Sequence, residues 1–534
     1  MRSDAAERVL SRVIVAEKVA DAGLAKLREK GHEVVDLAGA PREKLLLALA
    51  DADALLVRSA TKVDAGLLAA APKLSVVGRA GVGVDNVDVA AATARGVLVI
   101  NAPTANVVSA VEHTFALLLA LLRRVPAAAA SMAEGRWEKS KFLGSELAGK
   151  TVGIVGLGQV GSRVAARARA FEARLLGHDP YLPEEKAKEM GVPLVSLPEL
   201  LAASDIVTLH ATATEKGRPL LGREELSAMK RGAVLVNVAR GSLVDRDALR
   251  EALESGHLGG AALDVFDPEP PPADDPLAKL PNVVASPHLG ASTVEAQERV
   301  SLQTVDALIE ALSGASYVPA VNLPFRGPAD PSGAAAWMRL AERTARFLSA
   351  LCGARIVGLA VETWGLPEDL LRPVAVASVK GALEGHSPET VNYVNALHLA
   401  HERGLSVTET RHEDPGYYVR SIRVTLSDSA GASRADATLY SGRDARVVAV
   451  DGLPLEFRPE GTVVFLRNRD VPGVVGSVGT ILGEGGINIA NFSLARGDGE
   501  NAAAVIAVDS PPGPAVLDRL RRAPAVEEVR VVTW

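Results

Sequence analysis

Short apolar runs alternate with amphipathic stretches through roughly the first three hundred residues, at the spacing of strand followed by helix. Runs rich in Val, Ile and Leu at 12–16, 54–58, 74–77 and 97–101 predict strands, and 21–30 and 42–50 repeat at helical spacing between them. A longer helix is expected over 109–124. A second series then begins, with strands at 151–155, 173–177, 206–209, 233–237, 260–264 and 283–285 and helical stretches between them. Strands that read as continuous apolar runs, each followed by a helix, predict parallel sheets buried on both faces. The pattern therefore predicts two doubly wound α/β units in series.

Past residue 319 the texture changes. A helix over 336–352 gives way to alternating positions at 419–425 and 437–439, and 452–461 reads as a linker rich in Gly, Pro and polar residues. Residues 462–534 then run strand, helix, two strands, helix, strand, which is the split βαβ, ferredoxin-like order. The expected fold is thus two Rossmann-like parallel-sheet units, an α+β unit and a ferredoxin-like unit.

Composition narrows the function. The chain has 534 residues, 48% of them hydrophobic and 23% charged, as in folded globular protein. A formal charge of −7 gives no electrostatic case for nucleic acid as partner. The single cysteine excludes a disulfide framework and a clustered thiol metal site. The N-terminus carries acids early and lacks a signal-peptide core, and the apolar run 116–122 is too short to span a bilayer. A cytoplasmic protein with no membrane partner is expected.

The strongest local signal is TVGIVGLGQVG, where an apolar strand runs into Gly156-x-Gly158-x-x-Gly161 and a helical stretch follows. Gly156 suits a tight turn, Gly158 the close approach of a pyrophosphate, and Gly161 the packing of helix against strand. The helix N-terminus would turn free amides and the positive dipole end toward phosphate. A second strand ends near Asp179, whose carboxylate suits a ribose diol and repels a 2′-phosphate, favouring NAD over NADP.

Three polar residues follow strand-like runs in the same unit: Arg240 in VLVNVARGSLVD, Glu269 in ALDVFDPEPPP and His288 in VVASPHLGAST. Doubly wound sheets bind ligands at the carboxyl ends of their strands, so all three are expected at one edge beside a nicotinamide. Oxidising a hydroxy acid needs a base for the hydroxyl proton while hydride leaves the same carbon. Imidazole has the matching pKa, so His288 is the expected base, with Glu269 orienting it. Arg240 offers a permanently charged fork for a carboxylate. Asp264, at the end of its strand, is placed to fix a nicotinamide amide.

At these residues the chain resembles the D-2-hydroxyacid dehydrogenases, and within them the D-3-phosphoglycerate dehydrogenases of serine biosynthesis. The resemblance rests on LVRSATKV, VGRAGVGVDNVD, NAPTANVVSAVEHT, the glycine loop, NVARG, DVFDPEP and SPHLGAST, in that order. It implies Arg240, Glu269 and His288 as catalytic residues and 3-phosphoglycerate as substrate. It also implies a discontinuous substrate domain, 1–104 with 289–318, around a cofactor domain at 105–288, with hinges near Pro103 and Ala291. Substrate phosphate and carboxylate would fall to Arg58, Ser59, Arg79, Val82, Gly83 and Asn106. Gln159, Val160, His210, Thr214, Ala239 and Gly290 would join the cofactor site. The segment after His210 reads HATATEKGRPLLG without the family's usual prolines, which implies an altered loop at the cofactor edge. Residues 135–147 resemble the arm that pairs two cofactor domains, with Trp137 and Phe142 as anchors and Lys139 or Lys141 reaching the neighbour's phosphate site. A homodimer that pairs again into a tetramer is expected.

The region 319–456 resembles the intervening domain of the longer members, through VNYVNALHLAHERGLSV, and implies a second anion site of unspecified residues. The region 457–534 resembles an ACT domain, a sensor of amino acids, through Asp470-x-Pro472-Gly473 and Ile487-Asn488-Ile489. Asn468, Asp470 and Asn488 would hold an effector, L-serine, across a pair of such domains. Other readings remain at this point: a dehydrogenase of glycerate, hydroxypyruvate or lactate, an NAD-sensing regulator without activity, or a C-terminal unit that only dimerises.

Overall fold

The computed structural model describes residues 10–212, 218–313, 320–414, 416–497, 499 and 501–534. The first sheet contains β1 (Arg12–Val15), β2 (Glu33–Asp36), β3 (Ala54–Val57), β4 (Val76–Arg79) and β5 (Leu98–Asn101), all parallel in the order β2-β1-β3-β4-β5. The second contains β6 (Thr151–Val155), β7 (Arg174–His178), β8 (Ile206–Leu209), β9 (Val234–Asn237), β10 (Gly260–Leu263) and β11 (Val283–Ala285). It is also parallel, in the order β11-β10-β9-β8-β6-β7. Central strands such as β3 and β8 are buried at every position, which is why they read as unbroken apolar runs. Edge strand β2 is half-exposed along its EVVD and escapes the same reading. In both sheets the order reverses beside the first strand, opening a crevice at the strands' carboxyl ends.

Helix Val294–Leu312 returns to the first sheet and lies against helix Asp21–Glu29 and β4. Small residues permit that contact. A Cβ on Gly23 would stand 2.5 Å from the Ser301 Oγ, and one on Gly78 would stand 3.1 Å from a Thr304 methyl. Thr293 caps the helix by accepting from the Ala296 amide.

The third sheet is mixed: β12 (Gly358–Trp364), β13 (Ser406–His412), β14 (Ser421–Asp428), β15 (Gly431–Tyr440) and β16 (Asp444–Val450), ordered β13-β12-β14-β15-β16. The fourth is antiparallel: β17 (Thr462–Arg469), β18 (Ile489–Arg496), β19 (Asn501–Val508) and β20 (Val526–Thr533), ordered β18-β19-β17-β20 as in a ferredoxin-like fold.

The stretch 452–461 is not the solvated linker its composition suggests. Leu455 and Phe457 are buried, and Phe457 exchanges backbone hydrogen bonds of 3.0 Å with Val447. Its ring lies 5.0 Å from that of Phe347, which in turn meets Phe465 of β17 edge-on at 5.7 Å. The last two sheets therefore share one core through helix Pro331–Leu351. The signal was an alternation, Leu453-x-Leu455-x-Phe457, hidden among the Gly, Pro and charged residues. Among the described residues no single helix is long and apolar enough to cross a membrane.

Candidate active site

Each glycine of the loop after β6 has a distinct surrounding. Gly156 has φ +88°, and a Cβ there would meet the His210 carbonyl oxygen at 2.7 Å. A Cβ on Gly161 would fall 1.9 Å from the Gly156 oxygen, so helix Gly161–Ala170 closes on the turn only because that position is bare. Gly158 has nothing within 4 Å, so its side is open for a pyrophosphate to approach the backbone. Asp179 follows β7, with Oδ2 accepting from the Leu157 amide at 2.9 Å and Oδ1 from Tyr181 at 3.0 Å. The loop, helix start and acid fit a dinucleotide. Gln159 and Val160 occupy the turn into the helix, Val160 at its N-cap. His210 closes the opposite strand end, with Nε2 2.9 Å from the Thr208 hydroxyl; burial pushes its pKa down to about 4, so it is neutral at physiological pH. Thr214, which follows it, lies outside the described residues.

The side chains expected to react, Arg240, Glu269 and His288, stand on the loops after β9, β10 and β11. His288 Nδ1 lies 2.7 Å from Glu269 Oε2, while Glu269 Oε1 accepts from the Phe266 amide at 2.9 Å. His288 has φ +55°, a left-handed backbone that a non-glycine residue adopts only when its surroundings impose it. The imposing group is Asp264. Wholly buried, it accepts from the amides of Leu289 at 2.7 Å and Gly290 at 2.8 Å and from the Ser286 hydroxyl at 2.6 Å, and its carbonyl accepts from the His288 amide at 2.8 Å. His113 Nε2 adds a contact at 3.1 Å from helix Val107–Leu122. Burial works to raise the Asp264 pKa, yet these bonds outweigh it and the net shift is downward. Much of its hydrogen-bonding capacity is therefore committed to the turn that carries His288. Asn237 braces the next loop, donating to the Arg240 carbonyl at 2.8 Å and accepting from Ala239 at 3.1 Å.

Across the cleft, Arg58 and Arg79 follow β3 and end β4. Glu17 grips the loop of Arg58 and Ser59, accepting from the amides of Arg58, Ala60 and Thr61 at 2.9, 3.1 and 2.8 Å. Burial tends to raise its pKa, but the three amides lower it overall. Asn86 clasps the same loop from the other side, donating to the carbonyls of Arg58 and Thr61. Asn101 donates to the Val82 carbonyl at 2.6 Å, and Asn106 sits at the N-cap of helix Val107–Leu122. Arg79 is held below the usual guanidinium range, by burial first; Asp85 opposes the shift and nearby Arg240 and Arg58 add to it. Three cations thus converge. Arg240 reaches over to Gly83, where a Cβ would stand 2.3 Å from its Nη2.

Glu17, Asp85, Asn86, Asn237, His113 and Ser286 are absent from the sequence expectation. A signal existed for Glu17: it follows the apolar run of β1 just as Arg58 follows β3.

The C-terminal expectation divides. Asn468 is the penultimate residue of β17, and Asp470, just past the strand, pairs with Arg496 at 3.1 Å. Asn488 precedes β18 and donates to Asp509 at 2.7 Å. Asn468 pairs in register with Ala502 and Ile489 with Val508, so Asn468 and Asn488 lie at opposite ends of the sheet. Six residues of strand separate them, about 20 Å, so one chain alone does not bring them together. In the third unit a cavity of about 460 Å³ is lined by Arg339, Arg343, Arg443 and Arg458 with Asp444 and Glu460.

Known proteins place this geometry. Residues 115–290 match the NAD binding domain of the D-isomer specific 2-hydroxyacid dehydrogenases, and 334–451 match the D-3-phosphoglycerate dehydrogenase intervening domain. The chain is 39% identical to a D-3-phosphoglycerate dehydrogenase of Archaeoglobus fulgidus, over 96% of this chain and 98% of that one. It is 38% identical to that of Bacillus subtilis, over 98% and 99%. Among solved structures, the TT0316 protein of Thermus thermophilus is 41% identical with a TM-score of 0.52, covering 57% of this chain and 97% of its own. An NAD-dependent formate dehydrogenase from Staphylococcus aureus, in complex with NAD, is 34% identical with a TM-score of 0.51, covering 56% of this chain and 95% of its own. The first two sheets with their glycine loop, and the mixed sheet behind them, have one common interpretation: the chain belongs to the D-3-phosphoglycerate dehydrogenases, NAD-dependent members of the D-2-hydroxyacid dehydrogenase family.

Proposed function

We propose that the chain oxidises 3-phospho-D-glycerate to 3-phosphohydroxypyruvate with NAD, the first step toward serine. The observation that carries the chemistry is the 2.7 Å contact between His288 Nδ1 and Glu269 Oε2 at the same strand edge as the glycine loop. With Nδ1–H donated to that carboxylate, Nε2 is left to accept the substrate hydroxyl proton. Glu269 stabilises the imidazolium that forms, and the Phe266 amide keeps the carboxylate from swinging away. NAD, when bound, supplies the hydride acceptor. The C2–H electron pair leaves as hydride, the hydroxyl proton goes to Nε2, and C2 becomes a carbonyl. Arg240 holds the substrate carboxylate and the growing carbonyl charge.

Gly156, Gly158, Gln159, Val160 and Gly161 hold the pyrophosphate in this reading, and Asp179 the ribose. His210, Thr214, Ala239, Asp264 and Gly290 complete the nicotinamide side. Substrate phosphate falls to Arg58, Ser59 and Arg79, aided by backbone around Val82 and Gly83 and by Asn106. Comparing NADH formation from 3-phosphoglycerate and from D-glycerate tests the substrate. A strong preference for the phosphorylated acid is expected, and equal rates defeat the assignment.

The same reading carries a cytoplasmic location and a homodimer through the arm, paired into a tetramer. Trp137 on that arm is 80% exposed in the single chain, which supports a partner there. It takes the arginine-lined cavity as the second anion site. L-serine would bind where Asn468 and Asp470 of one chain meet Asn488 of another, since one sheet holds them apart. Calorimetry with L-serine on the wild type and Asn488→Ala tests this; heat from the wild type alone is expected, and none from either favours a dimerising module.

A further inference from the structure

Asp85 is the acid in the cleft that the proposed chemistry leaves without a task. It lies on the loop after β4, 73% exposed, with Oδ2 3.5 Å from the Arg240 Nε. Both groups crowd the same bare position: a Cβ on Gly83 would stand 2.3 Å from Arg240 Nη2 and 2.6 Å from Asp85 Oδ2. Among the charges acting on Arg79, Asp85 is the largest. The neighbouring acids are committed elsewhere. Glu17 is held by three amides, and Glu269 by His288 and Phe266. Asp85 is a carboxylate on a short exposed side chain, set against the one guanidinium that must receive a substrate carboxylate.

We propose that Asp85 is a displaceable anion: it occupies the carboxylate-binding face of Arg240 and gives way when the substrate carboxylate docks. The inference rests on Arg240 being the carboxylate site, as read above. The competition sets the affinity of the resting protein for 2-hydroxy and 2-oxo acids. An exposed ion pair is a weak competitor, so its removal tightens carboxylate binding by roughly two- to fivefold.

The contrasting role, that Asp85 merely positions Arg240, predicts the opposite sign. The test uses full-length wild type and Asp85→Asn saturated with NADH, titrated with oxamate, a planar carboxylate isosteric with a 2-oxo acid, and read by NADH fluorescence. Inorganic phosphate is the second probe. The expected result is tighter oxamate in the variant, with phosphate changed by less than half that factor. Unchanged or weaker oxamate makes Asp85 a positioning residue and overturns the proposal. Equal tightening of both anions makes the effect a diffuse charge change and overturns it as well. A wild type that binds oxamate yet oxidises no 3-phosphoglycerate loses the substrate assignment alone. A wild type that binds no oxamate loses the Arg240 reading and this proposal together.

Discussion

The two walls of the cleft are built on the same parallel-sheet plan yet hold their functional side chains differently. On the wall carrying the glycine loop, geometry is fixed by bonds from side chain to backbone: Asp264 clamps residues 288–290, Glu269 is tied to Phe266, and Asn237 braces Arg240. On the facing wall the loop of Arg58 is fixed, but the charges are not. Arg79 Nε has no hydrogen-bond partner among the described residues, and the exposed Asp85 of this wall meets Arg240 of the other only at 3.5 Å. Proton transfer fails if its atoms stray, so its wall is rigid. Recognition of an anion with two charged ends needs cations that adjust.

The contrast can be broken at several points. Among changes to the anion-binding groups, the largest effect is expected at the fork between the walls. Arg240→Lys keeps the charge but loses the planar double donor, and kcat/KM falls on the order of 100-fold. A loss below threefold in steady-state assays would show that charge alone suffices. Arg79→Gln comes next. KM for 3-phosphoglycerate rises roughly tenfold, as for loss of a charged hydrogen bond, and the preference over D-glycerate shrinks with it. An unchanged preference would remove Arg79 from the phosphate. Glu17→Gln places an NH₂ group against amides that need an acceptor, loosening the Arg58 loop, so KM rises several-fold while kcat changes less. Its depressed pKa also makes Glu17 a source of stability above the ordinary carboxylate range, lost as pH falls through it.

The smallest effect concerns the rigid wall. Burial holds His210 neutral with a pKa near 4 against an ordinary 6.5, so below pH 6.5 the unfolded chain binds more protons than the folded one. Stability should fall between pH 6.5 and about 4, and His210→Gln should flatten that slope in melting curves recorded at pH 7 and pH 5. Parallel slopes would mean that the His210 ring takes a proton as readily in the folded chain as in the unfolded one.

The same division explains what the sequence reveals. Each glycine of GLGQVG announces its role because the constraint is local, a turn or a close approach within a few residues. His288, Glu269 and Arg240 are legible because each follows an apolar run at a strand end. Glu17, which reaches loop residues more than forty positions away, and His113, which reaches Asp264 across 151, act through contacts no short window contains. Edge strand β2 lacks the apolar density of its neighbours. In 452–461 composition concealed a period-two apolar face, and there pattern was the better guide.

In the proposed reaction His288, steered by Glu269, takes the hydroxyl proton. Single-turnover NADH formation from 3-phosphoglycerate, measured beside the equilibrium affinity for NAD in His288→Ala, tests it most directly. The rate is expected to fall by about 10²–10⁴-fold with NAD affinity unchanged. A rate within tenfold of the wild type would contradict that role.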